Sequence, residues 1–160
     1  MPWGWLALAG AIALIDQATK RWIVAVLGQG DVIEVTGFFN LVLAYNRGAA
    51  FSFLSDAGGW QRHAFIVIAL GAIALITWLL TKHPRQRLFC LGLALILGGA
   101  LGNVWDRVFL GHVVDFLDFH AAGRHWPAFN VADSAITIGA VALILDSFRN
   151  QAPRPDKASG

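Results

Sequence analysis

Charged side chains are scarce in this sequence of 160 residues. Asp, Glu, Lys and Arg make up 14% of the chain, whereas hydrophobic residues make up 57%. A soluble domain usually carries about 25% charged residues, because they cover its surface. The composition therefore favours a membrane protein. The formal net charge of +2 is too small to suggest a nucleic-acid-binding surface. At this length we expect a single domain, over residues 1–150.

The chain also lacks the cysteines that an internal disulfide needs. Cys90 is the only cysteine, and it lies in an apolar run where a buried, inert thiol is expected rather than a nucleophile. A Gly-x-Ser-x-Gly nucleophile motif and a glycine-rich phosphate-binding loop are missing as well. These absences argue against the common serine and cysteine hydrolases and against nucleotide-dependent enzymes.

Long apolar runs are abundant, and four of them are long enough to cross the membrane. A hydrocarbon core of about 30 Å takes about 20 helical residues. The four runs are residues 3–27, 64–80, 88–110 and 131–148. The first has no basic start and no small-residue cleavage site, so we interpret it as a retained helix rather than a signal peptide.

Basic residues predict the orientation of these helices. Six are found in the loop after the second run and in the C-terminal tail: Lys82, Arg85, Arg87, Arg149, Arg154 and Lys157. Three are found in the loops on the opposite side: Arg47, Arg62 and Arg124. Because cytoplasmic loops are enriched in Lys and Arg, we expect both termini and the loop at residues 82–87 to lie in the cytoplasm.

The two loops on the outer side have features of secondary structure. Residues 31–45 and 112–119 are rich in β-branched and aromatic residues, and Gly37 marks a turn in the first of them. We expect a small extracytoplasmic β-sheet that rests on the membrane. The apolar segment 49–60 is too short to span and is expected to lie in the interface. Residues 151–160 are expected to form a disordered tail.

Polar residues fall at one depth, near the outer ends of the apolar runs. An ionisable side chain in a bilayer costs several kcal/mol, by most estimates about 2.5 or more, so its presence needs a reason. Asp16 and Lys20 are four residues apart, so they share a helix face and could form an ion pair. Asn103 and Arg107 are also four residues apart and share a face of the third run. The small residues at 98–102 allow close approach of another helix. Interhelical bonding and direct chemistry both remain open for Asp16, Lys20 and Arg107.

Asp115 and Asp133 are harder to explain as structural residues. Asp115 lies in an apolar, strand-like stretch without a basic neighbour, whereas an N-cap role would explain Asp133. Two neighbouring carboxylates do not both ionise readily, so one keeps its proton while the other acts as a base for water. Spacing alone leaves a catalytic pair and two separate structural roles equally open.

A metal site is an alternative for the second outer loop. His112, Asp115, Asp118 and His120 lie within nine residues of one another. In a strand, however, His112, Asp118 and His120 would share a face that excludes Asp115. We expect solvated histidines here and no metal.

Five segments, in order, resemble the lipoprotein signal peptidase (signal peptidase II) family. They are residues 16–20 (DQATK), 46–51 (NRGAAF), 98–107 (GGALGNVWDR), 113–119 (VVDFLDF) and 129–133 (FNVAD). The resemblance covers the chain from near its start to about Phe148, and no position that the family needs departs from its pattern.

The resemblance implies a multi-pass protein of the bacterial inner membrane with four transmembrane helices, an extracytoplasmic β-cradle and an aspartate dyad, Asp115 with Asp133. The supporting positions that it implies are Asn103, Arg107 and Asn130, with Asp16, Lys20 and Asn46 as further motif positions. The implied substrate is a prolipoprotein whose lipobox cysteine carries a diacylglyceryl group, cut just before that cysteine at the membrane surface. The family is blocked by globomycin and uses no metal or other cofactor. We expect the protein to act as a monomer.

Two other classes of protein remain as alternatives. A small transporter could use Asp16, Lys20 and Asp133 as a proton relay, although the four runs show no sign of inverted repeats. A non-catalytic assembly factor is excluded only by the motifs. Cleavage of a lipidated precursor by the purified protein would separate the enzyme from both.

Overall fold

The computed structural model describes residues 2–48 and 60–151 of the chain. In the described residues, a helix occupies each of the four apolar runs, and strands occupy both predicted β regions. In chain order the elements are α1 (Trp3–Val26), β1 (Val32–Thr36), β2 (Phe39–Asn46), α2 (Trp60–Lys82), α3 (Arg87–Phe109), β3 (Val113–Ala121), β4 (Arg124–His125) and α4 (Val131–Gln151). The expectations of an interfacial segment at 49–60 and a disordered tail lie almost wholly outside the described residues.

Three of these helices are long and apolar enough to cross a membrane: α2, α3 and α4 over Val131–Arg149. Helix α1 has 24 residues, but its second half contains Asp16, Gln17, Lys20 and Arg21, which lower its mean hydropathy. Length and composition therefore support three of the four predicted spans among the described residues, and the first span stays a prediction.

Helix α3 lies at the centre of the bundle and packs against α1, α2 and α4. Its glycines make the close approach possible. A Cβ atom added at Gly92 would lie 2.8 Å from the carbonyl oxygen of Gly139, and one added at Gly98 would lie 2.7 Å from that of Ala9. At Gly99 it would overlap the carbonyl of Ala132. The glycine-rich contact predicted for residues 98–102 is thus a contact of α3 with both α1 and α4.

The small sheet is antiparallel, with the strand order β1-β2-β3-β4. Its turn between β1 and β2 contains Gly37, as the sequence predicts. The pairing of β2 with β3 places Ala44 opposite Asp115 and Asn46 opposite Val113. Val114 and Phe116 on β3 form a buried cluster with Leu43 and with Ile23 and Leu27 at the end of α1. The sheet therefore rests on the end of the helical bundle.

The middle of β3 is joined to the segment that precedes α4. The backbone amides of Phe116 and Leu117 donate to the carbonyl oxygen of Phe129, at 2.9 and 2.8 Å. This pairing holds the segment before α4 against β3. As a consequence, the side chain of Asn130 lies beside that of Asp115.

The close contact of α3 with α4 gives a stability prediction with a matched control. In Gly99→Ala the added methyl group meets Ala132 and Ile136, so we expect a loss of about 1–3 kcal/mol from overpacking. In Gly71→Ala the methyl group meets nothing within 4 Å, and the helix should gain up to about 1 kcal/mol. Thermal unfolding of both variants in one detergent checks this. Equal midpoints would show that α3 and α4 are not packed as described.

Candidate active site

Asn130 is the residue that connects the two aspartates. It is fully buried, with 0% exposure. Its Oδ1 accepts a hydrogen bond from the backbone amide of Asp133 at 2.9 Å, and its Nδ2 donates to Oδ1 of Asp115 at 2.7 Å. Because α4 begins at Val131, Asn130 is its N-cap. The suggestion that Asp133 could be the N-cap is wrong: Asp133 lies in the first turn, where its carboxylate is free for another role.

Asp115 is buried and accepts hydrogen bonds from two side-chain amides. Only 3% of it is exposed. Asn46 Nδ2 donates to its Oδ2 at 3.1 Å, and the backbone amide of Gly48 holds the Asn46 oxygen at 2.9 Å. Burial, with the nearby charge of Asp133, raises the pKa of Asp115 to about 7, although the bonds from Asn46 and Asn130 oppose the rise. At neutral pH this carboxyl group can therefore hold a proton.

Asp133 has a different environment. It is half-buried, and its Oδ1 accepts a hydrogen bond from Asn103 Nδ2 at 2.8 Å. It also lies in the first turn of α4, where the helix dipole favours a negative charge. The charge of Asp133 acts on Asp115, and the two carboxylates lie in different surroundings.

Behind Asn103 is a buried group of charged residues. Lys20 Nζ lies 2.8 Å from Asp16 Oδ2, 2.8 Å from Asp106 Oδ2 and 3.1 Å from Asn103 Oδ1. The other oxygen of Asp16 accepts from the backbone amide of Ala132 at 2.9 Å. The ion pair that the spacing of Asp16 and Lys20 predicts is confirmed. It belongs to a network that joins α1, α3 and the start of α4.

Arg107 borders the site from α3. Its Nη2 donates to the carbonyl oxygen of Gly48 at 3.1 Å, and its guanidinium lies 5.2 Å from the ring centroid of Phe65. Its positive charge acts on Asp133 and Asp115. As the sequence predicts, Arg107 lies on the same side of α3 as Asn103, but it contacts the end of β2 and helix α2 rather than either aspartate.

Sequence reasoning missed the roles of Asp106 and Gln17. Asp106 Oδ2 accepts from the backbone amide of Val114 at 3.2 Å as well as contacting Lys20, and its Oδ1 accepts from Gln17 Nε2 at 2.7 Å. Asp106 thereby ties α3 to the residue before Asp115. One pattern in the sequence indicated a role for Asp106: it lies three residues after Asn103, on the same side of α3, and that side was expected to be buried.

The histidine cluster is divided between different partners. The ring of His112 packs on Tyr45, with 4.4 Å between ring centroids. Asp118 is bonded instead to Asn40 Nδ2 at 2.9 Å and to His125 Nδ1. In the part of the chain that the structure describes, no three His, Cys, Asp or Glu side chains are placed to hold a metal ion.

The helices and the site define a class: an integral membrane protein with two interacting carboxylates, one buried and one half-buried, where a small sheet meets the helical bundle. The model of the family described as signal peptidase (SPase) II matches residues 8–149. The chain therefore belongs to the signal peptidase II family, and as a member of that family it is a protease.

Similar proteins support this assignment along nearly the whole chain. The lipoprotein signal peptidase of Ralstonia nicotianae is 61% identical over 145 residues, which is 91% of this chain and 84% of the relative. That of Janthinobacterium sp. (strain Marseille) is 59% identical over 91% of this chain and 88% of the relative. A solved structure described as "Bacterial membrane enzyme structure by the in meso method at 2.3 A resolution" has a TM-score of 0.87 at 30% identity, and the match covers 98% of this chain and 94% of that one.

The raised pKa of Asp115 predicts how its stability contribution changes with pH. The folded state holds the proton up to about pH 7, whereas the usual value is 3.8, so this residue lowers stability increasingly as pH rises through that window. Asp115→Asn removes the effect. We expect the variant to gain on the wild type between about pH 4 and 8, by up to about 4 kcal/mol, at about 1.4 kcal/mol per pH unit of difference.

Unfolding in detergent at several pH values measures this gain in stability. Asp118 provides a control, because its pKa is shifted in the opposite direction. Burial raises the pKa of Asp118, but the bonds from His125 and Asn40 outweigh it and hold the pKa below its usual value. Its stabilising contribution is present above about pH 4 and lost as pH falls. Asp118→Asn should therefore lose stability at neutral pH. A loss at neutral pH in Asp115→Asn as well would contradict the raised pKa.

Proposed function

We propose that this chain is an aspartic endopeptidase that removes the signal peptide from prolipoproteins. It would cut the peptide bond before a cysteine that carries a diacylglyceryl group. The observation that carries the proposal is the Asn130 side chain, which holds Asp115 and Asp133 together in unequal environments. Membership in the signal peptidase II family supports the substrate class.

The unequal environments suggest a role for each carboxylate. Asp133, with its donor Asn103 and its place in the first helical turn, is the ionised base. Asp115, whose pKa is raised to about 7, is the acid. The ionised partner takes a proton from water, while the protonated partner polarises the scissile carbonyl and stabilises the developing oxyanion.

In this reaction both aspartates return to their starting protonation states. The water oxygen attacks the carbonyl carbon as its proton passes to Asp133, and the carbonyl oxygen takes the proton of Asp115. When the tetrahedral intermediate collapses, the C–N bond breaks and the amine of the cysteine leaves with the proton from Asp133. The re-forming carbonyl returns its proton to Asp115. No metal takes part, so we expect chelators to leave the activity intact.

The membrane arrangement is part of the same proposal. Four helices would span the inner membrane with both termini in the cytoplasm, and the sheet and the two aspartates would lie near the extracytoplasmic face. The six basic residues on one side against three on the other support this orientation. We expect the protein to act as a monomer and to be inhibited by globomycin.

Replacing either aspartate tests the chemistry. Asp115→Asn and Asp133→Asn should each lower kcat by about 10²–10⁴-fold, because each removes one acid–base group, and both proteins should remain folded. Asp118→Asn is the matched control. Asp118 is also a buried carboxylate on β3, the strand of Asp115, but its bonds are to Asn40 and His125. It should keep its activity. Substantial cleavage by either dyad variant would refute the aspartic mechanism.

The lipid on the substrate should determine how fast it is cut. Each buried CH₂ group contributes about 0.8 kcal/mol of membrane anchoring, so two acyl chains hold the scissile bond at one depth, near the dyad. A precursor without the diacylglyceryl group loses this positioning, and a misplacement of about 1 Å can cost about 100-fold. We expect the lipidated precursor to be cut at least about 100-fold faster in matched lipid. Equal rates would show that lipid positioning takes no part.

A further inference from the structure

The side-chain amide of Asn103 lies between a buried cation and the proposed base. Its Oδ1 accepts from Lys20 Nζ at 3.1 Å and, at the longer distance of 3.4 Å, from Asn130 Nδ2. Its Nδ2 donates to Asp133 Oδ1 at 2.8 Å. Asn103 is 8% exposed and Lys20 is 2% exposed. Water therefore has little access to this contact, and the partners of the amide are set by these neighbours.

An asparagine amide can occupy the same space in two orientations that exchange its oxygen and nitrogen. An ammonium group has three donors and no acceptor, so only the amide oxygen can face Lys20. The amide nitrogen must then face Asp133 and donate to it. In the opposite orientation the amide oxygen would face the carboxylate, where two acceptors repel each other. Lys20, which makes the shorter of the two contacts to the amide oxygen, thus selects the orientation in which Asp133 receives a hydrogen bond, and Asn130 Nδ2 favours the same orientation.

Lys20 is itself held by carboxylates from two helices. Asp16 on α1 and Asp106 on α3 each lie 2.8 Å from its Nζ. Asp16 is fixed by the backbone amide of Ala132, which precedes Asp133, and Asp106 by that of Val114, which precedes Asp115. The ammonium is therefore positioned relative to both aspartates of the dyad by contacts with their chain neighbours.

We propose that Lys20 is a positioning residue that orients the Asn103 amide so that it donates to Asp133. This inference rests on the proposed function of the dyad. Lys20 makes no hydrogen bond to either aspartate of the dyad, and its contact with Asp133 runs through Asn103. Its charge also acts on Asp115, where it favours the ionised form. The alternative is that Lys20 only joins α1 to α3, in which case its loss would lower stability without a specific effect on catalysis.

A double-mutant cycle on kcat separates these two roles. We expect Lys20→Met to lower kcat by about 100-fold with little change in KM, because it disturbs the reacting group rather than substrate binding. Asn103→Ala should have a similar effect. In the Asn103→Ala background, Lys20→Met should lower kcat by no more than about 3-fold, since the amide through which it acts is gone. Losses that multiply fully would overturn the proposal.

Gln17→Leu is the matched control for the structural role. Gln17 Nε2 joins the same two helices by donating to Asp106 and to the carbonyl oxygen of Gly102, at 2.7 and 3.3 Å. It makes no hydrogen bond to Asn103. We expect this variant to lower the Tm while kcat stays within about 3-fold of the wild type. If Gln17→Leu loses as much kcat as Lys20→Met at a similar Tm, Lys20 is only a helix contact.

Loss of the ammonium leaves two buried carboxylates without their cation, so Lys20→Met could fail to fold. Lys20→Met/Asp16→Asn then replaces Lys20→Met in the cycle. In this double variant the carboxylate of Asp16 becomes a neutral amide, so only Asp106 is left without its cation. The same roughly 100-fold loss of kcat is expected, and near wild-type kcat would overturn the proposal. Failure of the proposed function can be told apart from failure of the Lys20 proposal. If the proposed function is wrong, the wild type will not cleave the lipidated precursor, or Asp133→Asn will remain active.

Discussion

Asn130 uses both ends of its side-chain amide to join a helix to a strand. Its oxygen caps α4 through the amide of Asp133, and its nitrogen bonds the carboxyl group of Asp115. Because the side chain is fully buried, breaking one of these bonds would leave a polar group unpaired, at a cost of about 1–3 kcal/mol. The start of α4, its close packing on Gly99 and the distance between the carboxylates all depend on this residue.

The bundle separates apolar packing from polar chemistry along its length. One part is a core of aliphatic side chains around Leu80, Cys90 and Leu93. The other holds the ion pairs of Lys20 and the amides that reach the dyad. A bilayer makes unpaired charges costly, so these groups bond one another and each is held in one position. The same requirement that stabilises the bundle also preorganises the site, as catalysis by fixed dipoles requires.

Local patterns predicted much of this structure, and long-range contacts account for what they missed. Apolar runs indicated the helices, and the spacing of four residues indicated the pair of Asp16 with Lys20. The N-cap of α4 was misjudged because Asn130 and Asp133 both suit that position, and the choice depends on β3. The bond from Asn130 to Asp115 spans 15 residues and that from Asn46 spans 69, so neither follows from spacing. The resemblance implied the pairing of Asp115 with Asp133, but not the role of Asp106.

We propose that Asp115 and Asp133 act as a pair in which Asp115 carries the proton near neutral pH. Infrared difference spectroscopy of protein labelled with carbon-13 aspartate observes this proton directly. We expect a carboxylic-acid C=O band from Asp115 that disappears as pH rises through about 7. This band should be absent from Asp115→Asn. A spectrum with no carboxylic-acid band titrating in that range, or one with the same band in Asp115→Asn, would contradict it.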